Sequence, residues 1–334
     1  MSGDWKETSR MNEPKPDLPA DLDAGPHPQV EPPDSQPFAV PPSFEQRVYQ
    51  VFLSSDRLRP VWRFLLYVGM WEAFILLLPG LAAHLQLQGA RGIWQEMIGE
   101  VEYVVAAFVP ALIMAAIEKR SFGDYGLPLR GAFGKLFWMG ALWGIVSLTV
   151  LMLAIHGAGD FALNGLALHG RRVFKFAAFW GVLFLIVGFA EEFLLRGYSQ
   201  FTLTQATGFW PSALLLSVSF AFLHWRNPGE TWIGLLGVAA IGLFFCLTLR
   251  RTGNLWFAIG FHASWDWSES FLYSVPDSGQ LATGHLMKSS LHGSTWLTGG
   301  SVGPEGSVLL FVVIALTWAA FARVYPEVKY RIGR

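Results

Sequence analysis

The sequence predicts an all-α membrane protein, a polytopic bundle of about eight transmembrane helices with a disordered N-terminal tail. Three observations lead to this class. Hydrophobic residues make up 52% of the 334 residues, charged residues only 15%, and the mean hydropathy is +0.38, which is too apolar for a soluble domain of this size. Apolar windows long enough to span a membrane recur along the chain. Prolines and acidic residues gather at its start.

The N-terminal tail has the composition of a disordered segment. Ten of the nineteen prolines precede residue 43, and residues 1–45 hold nine acidic against three basic side chains. Such a segment buries too little apolar surface to offset its chain entropy, and it lacks the features of a signal peptide. We therefore predict a tail over 1–45 and a transmembrane domain over 46–334.

The transmembrane domain contains eight apolar windows. A hydrocarbon core about 30 Å thick requires roughly 20 apolar residues per helix. The fourth window is long and becomes mixed after Glu191, so we expect it to break or protrude. The windows are about 60–84, 97–117, 136–156, 173–203, 209–226, 232–250, 255–272 and 306–324.

The distribution of basic residues predicts the orientation. A cytoplasmic N-terminus puts most Lys and Arg side chains on the inside, as the positive-inside rule requires, with Arg171, Arg172 and Lys175 as exceptions. The 273–304 connection then faces outward. The single cysteine, Cys246, excludes an intrachain disulfide. Nothing in the sequence resembles a nucleic-acid-binding surface, so no nucleic-acid partner is expected.

Charged residues occur near the end of an apolar run that begins at Phe174, namely Glu191, Glu192 and Arg196. Charge at membrane depth is costly and indicates a functional site. Glu192 and Arg196 are four residues apart, in the favourable order for a helical ion pair. Glu191 points about 100° away, so we expect its partner to come from another part of the chain.

His224 is expected at the same depth as Glu191, and His262 and Asp266 can join them. The fourth and fifth windows form a hairpin with its turn near Gly208, and Glu191 lies 17 residues before this glycine and His224 16 residues after it. Each is therefore roughly 25 Å from the turn. His262 and Asp266 share one face of the seventh window because they are four residues apart. If that face turns inward, all four side chains converge.

Structural explanations compete with this hypothesis. In water, a Glu-Glu pair usually forms a solvated face, and His224 beside Trp225 is compatible with an interfacial histidine. His262 and Asp266 fit a buried hydrogen-bonded pair equally well, and Glu100, near a helix end, is expected at the interface. The cost of unsatisfied charge in an apolar helix favours a functional site for the Glu191 group.

The three polar groups also match a known set of motifs. Glu191 to Arg196 reads EExxxR, Phe220 to His224 reads FxxxH, and His262 to Asp266 reads HxxxN/D. In this order the chain resembles the CPBP family, the Abi or CAAX prenyl protease 2-like intramembrane proteases, which include lysostaphin-resistance proteins. The matching core covers about 173–272, and the helix count agrees with the family.

The resemblance implies a role for each motif residue. Glu191 would activate water, and His224 would help to hold that water. His262 and Asp266 would bind the developing oxyanion or a metal, and Arg196 would brace the carboxylate pair. An ionised Asp266 cannot donate a hydrogen bond to an oxyanion, whereas the Asn found in one version of the motif can. Asp266 therefore orients His262, carries a proton or ligates a cation.

The resemblance leaves the cofactor open. Glu191, His224 and His262 would supply three ligands and an open water position, as catalytic zinc requires. A metal-free glutamate protease is an equally acceptable interpretation, and the chain has no HExxH sequence. Both versions are kept as predictions.

The family also implies partners and a location. We expect an endopeptidase that cleaves peptide or membrane-protein substrates, membrane-associated or prenylated-like, within a lipid bilayer. The predicted location is the cytoplasmic membrane of a bacterium. The alternative is a non-catalytic peptide-binding or bacteriocin-immunity protein. A transporter is disfavoured because no repeated pair of broken helices is visible.

Overall fold

The computed structural model describes residues 43–54, 57–84 and 92–330, apart from the side chains at 82 and 84. The chain divides into two units, Met1–Arg47 and Val48–Arg334. In the first unit, residues 1–42 of the predicted tail lie outside the described residues, and Phe44 and Glu45 begin a helix. Apart from the start of this helix, the second unit carries all the features below.

A helix occupies each of the eight predicted windows. The fourth window is divided, because a π-helical segment separates its two α-helices. A second π-helical segment extends the seventh window. The helices are α1 Phe44–Phe52, α2 Pro60–His84, α3 Ile93–Glu118, α4 Lys135–Gly157, α5 Arg171–Glu192, α6 Gln200–Thr207, α7 Phe209–His224, α8 Trp232–Thr252, α9 Trp256–Trp267, α10 Thr295–Thr298 and α11 Leu309–Val324, with π-helical segments Phe193–Ser199 and Ser268–Tyr273.

The prediction of eight membrane spans is not confirmed. In the described part of the chain, five helical stretches are long and apolar enough to cross a membrane: Pro60–Leu81, Ile93–Glu118, Lys135–Gly157, Arg171–Thr207 and Trp232–Thr252. The other windows hold α7 and α11, of 16 residues each, and α9, of 12. Most of α9 is buried among other helices, so its apolar sequence reflects contact with protein on several sides.

Short strands accompany the helices, which the all-α prediction did not include. β1 Leu53–Ser54 pairs with β2 Arg57–Leu58, and β3 Phe161–Leu166 pairs antiparallel with β4 Met287–Leu291. The second pair joins the connection between α4 and α5 to the 273–304 connection. These two connections therefore lie at the same end of the helix bundle.

Helix α9 is held by a close backbone contact with α4. A Cβ atom added to Gly260 would lie 2.1 Å from the Phe137 carbonyl oxygen, and one added to Gly140 would lie 2.1 Å from that of Phe257. Nearby, the Ser264 hydroxyl donates to the Ala141 carbonyl oxygen at 2.8 Å. Small residues allow such an approach between apolar helices. This contact fixes the position of α9, which carries His262 and Asp266.

We predict that Gly260→Ala destabilises the protein by about 1–3 kcal/mol, the usual cost of overpacking a core. The added methyl group must push the two helices apart. The measurement is the thermal unfolding midpoint of the full chain in detergent. Gly157→Ala is the matched control, because no atom lies within 4 Å of its added Cβ. Equal midpoints for the two variants would contradict the close contact.

Candidate active site

The carboxylate pair lies where the fourth window changes its helical geometry. Glu191 and Glu192 are the last residues of α5, and the π-helical segment Phe193–Ser199 follows. Gly197 has non-helical angles of φ −82° and ψ −111°, and an added Cβ there would lie 2.7 Å from the Phe193 ring. The predicted break is this segment. Single-turn π-helical distortions are frequent at functional sites.

Glu192 and Arg196 form the predicted ion pair in the interior. The Arg196 Nη1 donates to the Glu192 Oε1 at 3.1 Å, and both side chains are fully buried. The Arg196 guanidinium also lies over the rings of Phe220, at 4.5 Å, and Phe245, at 5.7 Å. These rings provide favourable cation–π contacts. Arg196 therefore pairs with Glu192 and contacts the FxxxH segment.

Space for the buried guanidinium comes from a glycine on α8. A Cβ atom added to Gly242 would lie 2.5 Å from the Arg196 Nη2 and 3.2 Å from the Ser217 hydroxyl oxygen. Any larger residue would displace Arg196 from its place beside Glu192. Position 242 thus requires a glycine for close packing, which the sequence alone did not reveal.

Glu191 has the distant partner that the helical geometry required. Its Oε2 lies 3.6 Å from the His262 Nε2, and 22% of its side chain is exposed. The exposed part faces a cavity of about 550 Å³. Adjacent glutamates thus have different environments, since Glu192 is closed off by ion pairing and Glu191 is open to the cavity.

His262 connects the carboxylates. Its Nδ1 lies 3.0 Å from the Glu192 Oε1 and its Nε2 lies 3.6 Å from the Asp266 Oδ2. An ionised carboxylate only accepts hydrogen bonds, so Nδ1 carries a hydrogen and Nε2 is directed toward Glu191 and Asp266. The imidazole stacks on the Phe245 ring, with 5.5 Å between centroids. Its position is fixed from several sides.

His224 lines the same cavity as Glu191 and His262. Its Nδ1 lies 2.9 Å from the Phe220 carbonyl oxygen. A carbonyl accepts only, so Nδ1–H donates and Nε2 keeps a lone pair when the ring is neutral. The Phe220 ring packs edge-on against the imidazole, with 4.7 Å between centroids. One cavity is therefore lined by residues from all three motifs, namely Glu191, His224, His262 and Asp266.

The cavity is acidic. No Lys or Arg is among its lining residues in the described part of the chain, whereas six carboxylates are: Glu96, Glu100, Glu191, Asp266, Asp277 and Glu305. Burial, followed by the charge of Glu305, raises the pKa of Asp277 to about 8. The sequence did not identify Asp277 or Glu305 as site residues, and it placed Glu100 at the membrane–water interface. An acidic residue within an apolar window was the available signal for Glu100.

The structure does not gather the predicted zinc ligands into a compact set. Among the described residues, the one group of three potential ligands whose donor atoms all lie within 4.8 Å of one another is Asp266, Asp277 and Glu305. Glu191 and His262 are close, but His224 does not complete such a group with them. The zinc assignment therefore remains a prediction, and no catalytic step is derived through a metal.

Comparison with known families identifies part of the chain. Residues 173–268 match the family described as type II CAAX prenyl endopeptidase Rce1-like. The match supports the CPBP family of CAAX-type proteases for this segment, which is called the CPBP segment below. The CPBP segment is less than a third of the chain, yet it includes every predicted site residue from Glu191 to Asp266. No curated protein and no solved structure matches the chain significantly.

The CPBP segment and the five apolar helices together support an integral membrane protein. The segment ends at residue 268. Asp277 and Glu305, which complete the acidic end of the cavity, therefore lie outside it. These residues are a feature of this chain that the family match does not describe.

We predict that Arg196→Met destabilises the protein by about 3–5 kcal/mol, because it removes the cation beside a fully buried carboxylate. The double variant Glu192→Gln with Arg196→Met should recover part of this loss, since neither charge then remains buried alone. Unfolding in detergent is followed by circular dichroism. Arg172→Met, at an exposed position of α5, is the control. Equal destabilisation by Arg196→Met and Arg172→Met would contradict the role of the ion pair.

Proposed function

We propose that this protein is an intramembrane endopeptidase in which Glu191 activates a water molecule. The observation that carries the proposal is the Glu191 carboxylate, which is open to the cavity and 3.6 Å from the His262 Nε2. A general base must reach the proton that it removes. Glu191 meets this requirement, whereas Glu192 is fully buried between Arg196 and His262.

Hydrolysis follows from these positions. Glu191 accepts a proton from water as the water oxygen attacks the peptide carbonyl carbon. The tetrahedral intermediate then collapses and the C–N bond breaks. Glu191 returns the proton to the departing amine, and the other product is a carboxylic acid. The Nε2 of His224 accepts a hydrogen bond from the same water, because its Nδ1 is engaged by the Phe220 carbonyl.

His262 stabilises the developing oxyanion when both of its nitrogens are protonated. Glu191, Glu192 and Asp266 surround the ring and supply the negative charge that favours this form. Asp266 acts as a positioning residue for the imidazole. Donors fixed in a low-dielectric site stabilise such charge more strongly than water does.

The substrate class that we propose is a membrane-associated or prenylated-like protein. One wall of the cavity is apolar and is formed by α5, with Trp180, Leu183, Phe184 and Val187. This wall suits an extended apolar chain, and the polar groups of the three motifs suit a peptide bond. We place the protein in a bacterial cytoplasmic membrane with its N-terminus in the cytoplasm, in agreement with the distribution of basic residues.

The decisive test is Glu191→Gln. We expect it to lower proteolysis by about 10²–10⁴-fold, the usual contribution of general-base catalysis, with an unchanged unfolding midpoint. Cleavage is measured on labelled prenylated and unprenylated peptides in proteoliposomes. Glu72→Gln, an exposed position on α2, is the control.

Peptide binding by Glu191→Gln separates catalysis from the alternative of a non-catalytic binding protein. A variant that binds the peptide normally but does not cleave it supports the enzyme. Normal cleavage by Glu191→Gln would refute the base assignment. Peptide binding by the wild-type protein without any cleavage would favour a binding protein.

We also propose that the reaction does not depend on zinc, because Glu191, His224 and His262 do not form a compact ligand set. Treatment with 1,10-phenanthroline, which removes zinc, should leave the cleavage rate unchanged. Metal analysis of the same sample checks that zinc is absent. Loss of activity that added zinc restores would overturn this proposal.

A further inference from the structure

Beside the proposed catalytic group lies a second cluster of carboxylates. Asp266, Asp277 and Glu305 each offer one oxygen, and these oxygens all lie within 4.8 Å of one another. The three residues come from separate parts of the chain: α9, the connection that follows it, and the short 3₁₀ turn Pro304–Gly306 that precedes α11. The fold therefore holds three carboxyl groups together, and their mutual repulsion when ionised must be offset.

The described residues supply little compensating charge. No Lys or Arg of the described chain forms an ion pair with these carboxylates. Of the three, only Asp266 lies within ion-pair distance of His262, at 3.6 Å. The Ser270 hydroxyl donates to the Asp277 Oδ2 at 2.9 Å, and the Ser278 hydroxyl donates to the Glu305 Oε2 at 3.1 Å. Hydroxyl groups orient these carboxylates but do not neutralise them.

A fourth carboxylate, Glu269, is buried beside this cluster. Its side chain is fully buried, and neither of its oxygens has a hydrogen-bond partner among the described residues. Glu269 interacts electrostatically with Glu305, Asp277 and Asp266, and the Trp265 indole is the neighbouring group that stabilises its negative charge, without reaching ideal hydrogen-bond geometry. A buried carboxylate with so little hydrogen bonding is costly. Its position beside three other acids is suited to a bound cation, which would interact favourably with all four carboxylates.

We propose that Asp266, Asp277 and Glu305 bind a hard divalent cation of the Ca²⁺ type, with Glu269 adding negative charge behind the site. Carboxylate oxygens are the preferred ligands of such cations, and Ca²⁺ accepts irregular arrangements of six to eight oxygens. Zinc is disfavoured because this cluster offers no nitrogen or sulfur ligand. The ion links the 273–304 connection to α9 and so fixes one end of the cavity.

Calcium binding to the full-length protein tests the site. The protein is purified in detergent, freed of metal with EGTA, and titrated with ⁴⁵Ca²⁺. We expect one Ca²⁺ per chain, with a Kd on the order of 10⁻⁴–10⁻³ M, as in extracellular modules. Calcium should also raise the thermal unfolding midpoint, since a ligand that binds only the folded state stabilises it.

Two variants test whether Asp277 and Glu305 are ligands of the cation. Asp277→Asn and Glu305→Gln should each weaken Ca²⁺ binding by about ten-fold or more, at least the effect of a change next to a metal ligand. In EGTA, both variants should unfold at a higher temperature than the wild type, because they relieve repulsion between carboxylates. The wild type should regain its stability only when Ca²⁺ is added.

Two further variants serve as controls. Glu230→Gln removes a nearby carboxylate that senses the charge of Glu305 but is not part of the cluster, and it should bind Ca²⁺ as the wild type does. Glu191→Gln should also bind Ca²⁺ normally, so failure of the cation site and failure of the proposed catalytic base are distinguishable.

Other outcomes would overturn the proposal. Absence of saturable Ca²⁺ binding in the millimolar range would do so, as would normal binding by Asp277→Asn and Glu305→Gln. Higher stability of both variants in EGTA, without Ca²⁺ binding by the wild type, would show that protons neutralise the cluster.

Discussion

One oxygen atom, the Oε1 of Glu192, joins the two halves of the candidate active site. It lies 3.1 Å from the Arg196 Nη1 and 3.0 Å from the His262 Nδ1. The first contact closes a turn at the end of α5, and the second connects α5 to α9. Because Glu192 is fully buried, neither contact competes with water, and loss of either partner leaves charge in the interior. Glu191 depends on this arrangement for its distance from His262.

The helices can supply these contacts only because small residues let them approach. Gly140 and Gly260 bring α4 and α9 together, and Gly242 leaves room for the Arg196 guanidinium. The π-helical segment after Glu192 adjusts the direction of the chain before α6. The polar site is therefore a product of close packing as well as of the motif residues.

The sequence predicted the helices and the local pairs well, because both depend on short-range patterns. The i,i+4 spacing predicted the Glu192–Arg196 pair, and similar distances from Gly208 predicted that Glu191 and His224 lie at one depth; both line the same cavity. Contacts between residues that are distant in the sequence were harder to predict. Hydropathy could not distinguish α9, buried by other helices, from a full-length span. It also could not place Asp277 and Glu305, which lie on either side of β4 in the long connection between α9 and α11.

Asp266 has a special position because it belongs to both polar groups. Its Oδ2 lies 3.6 Å from the His262 Nε2, and it shares a carboxylate cluster with Asp277 and Glu305. An Asn at this position could donate a hydrogen bond but would remove one negative charge. With Asp, the charge that favours a protonated His262 also contributes to the acidic cluster. A cation in that cluster would draw Asp266 away from His262 electrostatically, so the two groups must influence each other.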